Sequence, residues 1–122
     1  MRIDIVRLVV DVAGSAGSAT GSASSNNSVN GRVIAVHIDY TTQPATTDVT
    51  LVSTAPSQTI LTRTNQNADG WFYPRQLMDA TDGADLTGIY ESLPVAGTLT
   101  ASVAQGDPVT GGVVVTVYVE RD

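Results

Sequence analysis

The sequence predicts an all-β protein: one antiparallel β-sandwich domain, jelly-roll or immunoglobulin-like, with a closed barrel as the alternative. Three observations predict it. Runs of β-branched residues alternate with polar ones at period two, clusters of Gly, Pro, Asp and Asn punctuate those runs at near-regular spacing, and no stretch of useful length has a helical period. A chain of 122 residues is long enough for one core and too short for two domains of usual size, so residues 1–122 are read as a single domain.

Residues Arg2 to Val12, RIDIVRLVVDV, open the chain as a strand in two phases: Ile3 and Ile5 share one parity, whereas Leu8, Val10 and Val12 share the other. Such a phase change predicts a bulge near Val6-Arg7, or a strand covered on both faces by neighbouring subunits. The stretch 13–30 is Gly/Ser/Ala-rich without apolar period and reads as a flexible loop or arm, open to ordering against a partner surface. From Gly31 alternation is clean, with Ile34, Val36, Ile38 and Tyr40 on one face and Val33, Ala35, His37 and Asp39 on the other. TTQPATT breaks that strand at Pro44; Val49 and Leu51 mark the inner face of the next, and a turn at Ala55-Pro56-Ser57 leads into QTILTRT.

NQNADGWFYPR, Asn65 to Arg75, sets a turn signal at Asp69-Gly70 against the cluster Trp71, Phe72 and Tyr73, large rings able to bury roughly 150 to 250 Å² each. With few other large side chains to fill a centre, these aromatics are expected in the core, and Pro74 limits their strand to an edge, a bulge or an early end. Gln76 to Ser92 is polar and reads as an excursion over the surface, with a single helical turn placed in Arg75 to Ala80. Val95 to Ala104 resumes alternation with Leu99, Ala101 and Val103 inward. GDPVTGG supplies a turn, and Val113, Val115, Val117 and Val119 form the most regular apolar face; these last two strands are expected to be neighbours in one sheet. The expected core is Ile34, Val36, Ile38, Val49, Leu51, Leu99, Val103, Val113, Val115, Val117 and the three aromatics.

Composition narrows function. A formal net charge of −6, a pI near 4.4 and only six cations, all arginine, argue against nucleic acid or an anionic membrane as partner. No apolar run approaches the roughly 20 residues of a membrane span, and Met1 to Asp4 lacks the apolar core of a signal peptide. Without cysteine there is neither a disulfide framework nor a thiolate metal site.

Few residues could carry chemistry. His37 and Asp39 point to the same side of a strand, but no nucleophile motif accompanies them, so catalysis is not assigned. Asp79, Asp82 and Asp85 suggest a calcium loop, yet counting from Asp79 the twelfth position is Tyr90 and Glu91 arrives one residue late; incidental cation binding or an ordinary Asx-turn loop stay open. Trp71 and Tyr73 could form a sugar-stacking platform if exposed. No catalytic, cofactor or metal residue is assigned, and no cofactor is expected.

Three segments, GRVIAVHIDYTTQPATTDVTL (31–51), NADGWFYPR (67–75) and VAQGDPVTGGVVVTVYVE (103–120), resemble small all-β virion structural proteins of tailed bacteriophages. The resemblance implies a non-enzymatic capsid decoration (cement) protein at the surface of the virion, binding the major capsid protein and forming a homo-oligomer, trimer or dimer. A head-completion or tail-associated adaptor is the alternative within virions, and a carbohydrate-binding module on the particle surface is the contrasting class.

Overall fold

The structure, a computed structural model, describes residues 2–121. Ten strands and no helix make up its regular structure: β1 Arg2–Val12, β2 Ala19–Ser24, β3 Gly31–Asp39, β4 Asp48–Thr54, β5 Ser57–Arg63, β6 Gly70–Phe72, β7 Arg75–Asp79, β8 Asp85–Val95, β9 Leu99–Gly106 and β10 Val109–Arg121. They form two antiparallel sheets. One runs β1-β10-β3-β8-β7 with β6 paired to β3 as well, and the other runs β2-β9-β4-β5.

The pairs β1–β10, β2–β9, β3–β8 and β4–β5 nest inside one another, as in a long hairpin rolled around a common core. That nesting is the jelly-roll arrangement of two four-stranded sheets, so the sandwich is of this kind and is not closed into a barrel. Strands β6 and β7 are extra to it: with the first part of β8 they make an insertion, residues 64–92, between the fifth and sixth strands of the eight-stranded frame.

Alternation puts one face of each sheet into the core. Leu8, Val10, Val33, Val36, Ile38, Tyr40 and the β10 row Val113, Val115, Val117 and Val119 meet Val49, Leu51, Leu99, Ala101 and Val103 of the other sheet, all buried. Burying a Val, Leu or Ile side chain contributes about 1.5 to 3 kcal/mol, and this aliphatic contact is what holds the sheets face to face.

Several expectations are corrected. The stretch 13–30 contains β2, whose side chains alternate in the sense of a strand: Ala19, Gly21 and Ala23 turn inward, Thr20, Ser22 and Ser24 outward. Beyond β2 the chain stays tied down, Ser25 N–H donating to the Leu99 carbonyl at 2.9 Å and Val29 N–H to that of Gly97 at 2.7 Å, with Val29 itself buried. The N-terminal strand pairs with β10 without interruption from Arg2 to Val10, and its bulge falls between Val10 and Val12 rather than at Val6-Arg7. Its outer face is left exposed at Ile3, Ile5 and Val9.

On β3 a bulge opposite Tyr118 and Val119 makes Ile34 the extra residue, so Val33 takes the core position and Ile34 is only half-buried. Strands β9 and β10 lie in different sheets: the chain turns a corner at Gly106-Val109. Gln43, buried in the segment that breaks β3 from β4, holds that corner; its side-chain amide donates to the Asp107 carbonyl (3.1 Å) and accepts from Asp107 N–H (2.8 Å). Residues 75–79 are extended, not a helical turn, and pair with β8, so the expected surface excursion is a two-stranded arm.

Candidate binding surface

The aromatics expected in the core lie outside it. Trp71 is 50 % and Tyr73 61 % exposed, and only Phe72 packs partly against the buried cluster. The reason is register. β8 pairs with β3 only at Gly31 to Val33 and then leaves the sheet, and β6 fills the vacated edge by pairing Phe72 with Val36, Trp71 with His37 and Gly70 with Ile38. Val36 faces the core and His37 the outside, so Phe72 turns in while Trp71 and Tyr73 turn out. The expected tight turn at Asp69-Gly70 is not formed: Gly70 begins β6, and the Asp69 carboxylate instead accepts the Tyr40 N–H at 2.7 Å, which fastens the entry to β6 against the end of β3.

An aromatic platform results on the outer face of the six-stranded sheet. Its rows follow from the register: Arg7, Thr116, His37 and Trp71 lie across four adjacent strands, and Ile5, Tyr118 and Ala35 form the next row. Trp71 lies 4.8 Å, ring centre to ring centre, from His37 at an interplanar angle of 60°, and 5.3 Å from Tyr118 at 41°. Aromatic contacts of this kind hold a ring in place at a few tenths to about 1.5 kcal/mol each, so the Trp71 side chain is fixed although half of it meets solvent. Behind the platform Arg63 places its guanidinium 4.4 Å from the centre of the Phe72 ring. The neighbouring Tyr40 is fully buried; burial pushes its pKa up, and Arg63 opposes that rise.

The exposed apolar surface is concentrated. Ile3, Ile5 and Val9 project from β1, and Trp71, Tyr73, Ile89 and Tyr90 all belong to the insertion 64–92. Scattered apolar residues need no explanation, whereas grouping on two elements marks contact surfaces.

The other candidate residues are not gathered into a site. His37 packs on Trp71, while the Asp39 carboxylate accepts the Thr41 N–H at 2.9 Å in a local turn, so the pair is not joined as a base and its orienting acid. Asp79 and Asp85 face each other across the arm, where the hydrogen bond and charge of Asp85 raise the Asp79 pKa; Asp82 accepts the Ala84 N–H at 3.0 Å in an Asx turn at the arm's tip. Among the described residues no group of three or more His, Asp or Glu is placed to hold a metal ion, and no helix is long and apolar enough to cross a membrane. A shallow cleft of about 650 Å³ at the end of β3 and β10, lined by Asn30, Gly31, Arg32, Pro94, Glu120 and Arg121, has both of its cations near carboxylates: Arg32 lies 3.9 Å from Glu91 and Arg121 2.8 Å from Asp4.

No protein-family profile, curated protein sequence or solved structure matches this chain.

Proposed function

We propose that this protein is a non-enzymatic structural component that works by adhesion, a capsid decoration protein of a tailed phage whose outer sheet face docks on the major capsid protein of the assembled head. The observation that carries the reading is the platform of Trp71, His37 and Tyr118, aromatic side chains packed on one another and held on a sheet rather than on a loop, with exposed Tyr73 following Trp71 just beyond β6. Tyr and Trp anchors of this kind concentrate binding energy because they lose little conformational freedom on contact. The jelly-roll topology adds support by analogy alone, since viral capsid domains use it, as do lectins. Binding only to the assembled shell would stabilise that shell by mass action and requires no chemistry at the site.

The test is Trp71→Ala added to isolated heads and compared with the wild-type chain by co-sedimentation. A loss of binding of tenfold or more is expected from a chain that stays folded by circular dichroism, its melting temperature lowered by a few degrees for the lost ring contacts, because truncating a central aromatic anchor costs about 2 kcal/mol or more of binding. Equal co-sedimentation of the two proteins would refute the reading. Copy number separates decoration from the head-completion or tail-adaptor role: hundreds of chains per particle fit the first, a ring's worth the second.

One observation favours a second reading, a carbohydrate-binding module. Half of Trp71 faces solvent beside Tyr118 and Tyr73, an arrangement able to stack on a sugar face. Because Trp71 is the chain's single tryptophan, its fluorescence reports the platform directly, and saturable quenching or a blue shift with glycans would favour this reading over capsid docking.

A further inference from the structure

Two groups of exposed apolar residues lie at opposite edges of one sheet, Ile3, Ile5 and Val9 beside the aromatic platform and Ile89 and Tyr90 away from it. β1 is one edge of the order β1-β10-β3-β8-β7, and the β7–β8 arm is the other. At the arm, Ile89 is 49 % and Tyr90 63 % exposed. Successive residues of a strand point to opposite faces, so both faces of the arm are open to solvent, and the arm stands clear of the sandwich over that length. A two-stranded ribbon is marginally stable in water unless something packs on it. Its ties to the body include the short pairing of Gly31 to Val33 with Leu93 to Val95, a long contact of 3.5 Å from the Arg75 guanidinium to the Ile34 carbonyl, and the exposed Arg32–Glu91 ion pair at 3.9 Å, which contributes little.

Charge differs between the edges in the same sense as needed for contact. The arm carries Asp79, Asp82 and Asp85 beyond its base and no cation there, and the carboxyl groups of Asp79 and Asp85 are pressed together across the strands. The β1 edge presents Ile3, Ile5 and Val9 with Arg7 among them; its two arginines and two aspartates balance, Asp4 pairing with Arg2 and Arg121 and Asp11 accepting the Gly111 N–H, while among the described residues no carboxylate lies within 4 Å of Arg7. Each edge also exposes one side of a ladder, since β1 and β7 have a hydrogen-bonded neighbour on one flank only.

We propose that the acidic β7–β8 arm of one copy of this chain seats on the β1 edge of a second copy, with the Tyr90 face of the arm against Ile3, Ile5 and Val9 and the arm's aspartates near Arg7. Because the two edges differ, the contact is head-to-tail: each copy offers one arm and receives another. The β1 side of this contact adjoins the aromatic platform, with Ile5 in the Tyr118 row and Arg7 in the His37 row, and the contact gives Arg7 an anionic neighbour that it lacks among the described residues. It also explains how a ribbon with too little of its own packing can be a regular part of the protein.

The experiment uses the full chain in sedimentation velocity over a concentration series, with two variants, Ile5→Asp on the β1 edge and Tyr90→Asp on the arm. Wild-type protein is expected above monomer mass, and each variant alone as a monomer with an unchanged circular dichroism spectrum. Mixed in equal amounts, the variants are expected to give dimers and nothing larger, because the intact arm of the first fits the intact edge of the second. A wild-type chain that stays monomeric throughout, or a mixture that stays monomeric although each variant is folded, would overturn the proposal. Should either aspartate variant lose its fold, crosslinking decides instead, since the chain contains no cysteine of its own. Ile5→Cys combined with Tyr90→Cys should form a disulfide-linked ladder under mild oxidation that neither single variant forms. Dimers from Ile5→Cys alone, with no ladder from the combination, would show a symmetric contact and overturn it.

Discussion

Gly21→Ala is a sharp test of whether β2 is a strand of the sandwich or a stretch of pliable chain. A Cβ at Gly21 would stand 2.2 Å from the Asp11 carbonyl oxygen and 3.1 Å from a methyl of Val10. Ordinary contact would require a retreat of about 1 Å, and neither side is free to make it. Asp11 is held by the β1–β10 pairing on both sides and by Gly111 N–H donating to its carboxylate at 2.7 Å; Gly21 is held by the pairing of β2 with β9. Forcing an extra carbon into such a contact costs about 1 to 3 kcal/mol. Against that, replacing glycine by alanine in an extended segment stabilises by about 0.4 to 1 kcal/mol through the unfolded chain. The net expectation is a loss of about 1 to 2 kcal/mol. At roughly 2.1 cal/mol/K per residue a chain of this length loses about 4 °C of melting temperature per kcal/mol, so a fall of about 4 to 8 °C is expected in calorimetry. Ser22→Ala, exposed on the next position, should stay within about 2 °C. A Gly21→Ala melting temperature equal to or above wild type would refute the reasoning, because a flexible tether would feel only the stabilising term.

Four further outcomes follow from buried or paired groups. Gln43→Ala leaves the Asp107 N–H and carbonyl without their side-chain partners, and at about 1 to 3 kcal/mol per buried group the loss should exceed that of any exposed threonine-to-alanine change in denaturant titration. The buried Tyr40 hydroxyl has no partner in good hydrogen-bonding geometry although Arg63 lies near enough to oppose the rise of its pKa, so Tyr40→Phe should cost little; a loss above about 1 kcal/mol would show that Arg63 is its partner. For Asp79 the sign follows from its raised pKa: the folded arm takes up a proton more readily than the unfolded chain, so the arm gains stability as pH falls through that raised value and loses it as pH rises. Asp79→Asn should therefore protect arm amides from hydrogen exchange at neutral pH and make little difference near pH 3. Asp4 runs the opposite way: its hydrogen bond to Arg121 holds its pKa down, and its contribution is lost as pH falls below the ordinary aspartate range.

Much of the frame was legible because aliphatic alternation and burial coincide. Val49, Leu51, Leu99, Val103 and the β10 valines are buried where period two places them. Legibility failed where a bulge or small residues broke the link between pattern and face. Ile34 and Val33 exchange places through one inserted residue on β3, which apolar residues on both parities conceal. β2 does alternate, but its inward positions are Ala19, Gly21 and Ala23, small because β1 passes so close, and small residues at period two look the same as a linker. Sheet membership is a property of connection geometry, so nothing in the valine rows of β9 and β10 could say that the corner between them crosses the core. The aromatics were misplaced by a volume argument: the aliphatic rows fill the sandwich without them, and β6 has only three residues to pair. The alternating parity of Trp71, Phe72 and Tyr73 was the signal that only one or two of them could face inward.

The surface residues available for recognition therefore come from what has been added to a regular frame. In a bare eight-stranded jelly roll, the strand at the position of β8 would lie along the whole of β3 and bury its far edge. Here β8 leaves after Val33, and the 64–92 insertion returns twice, once as β6 to close the gap beside His37 and once as β7 to pair with the departing part of β8. The first return fixes Trp71 on the outer face; the second projects Ile89 and Tyr90 away from it. Neither set contributes to the core, so fold stability does not require either to be apolar, and their exposure is a cost that only contact with another surface removes. Shortening the arm by deleting residues 77–90 and bridging the paired Gln76 and Glu91 with a two-residue turn should leave the sandwich's melting temperature nearly unchanged while abolishing self-association. A large loss of thermal stability in that variant would mean that the arm supports the fold, and would remove the physical reason for assigning it to assembly.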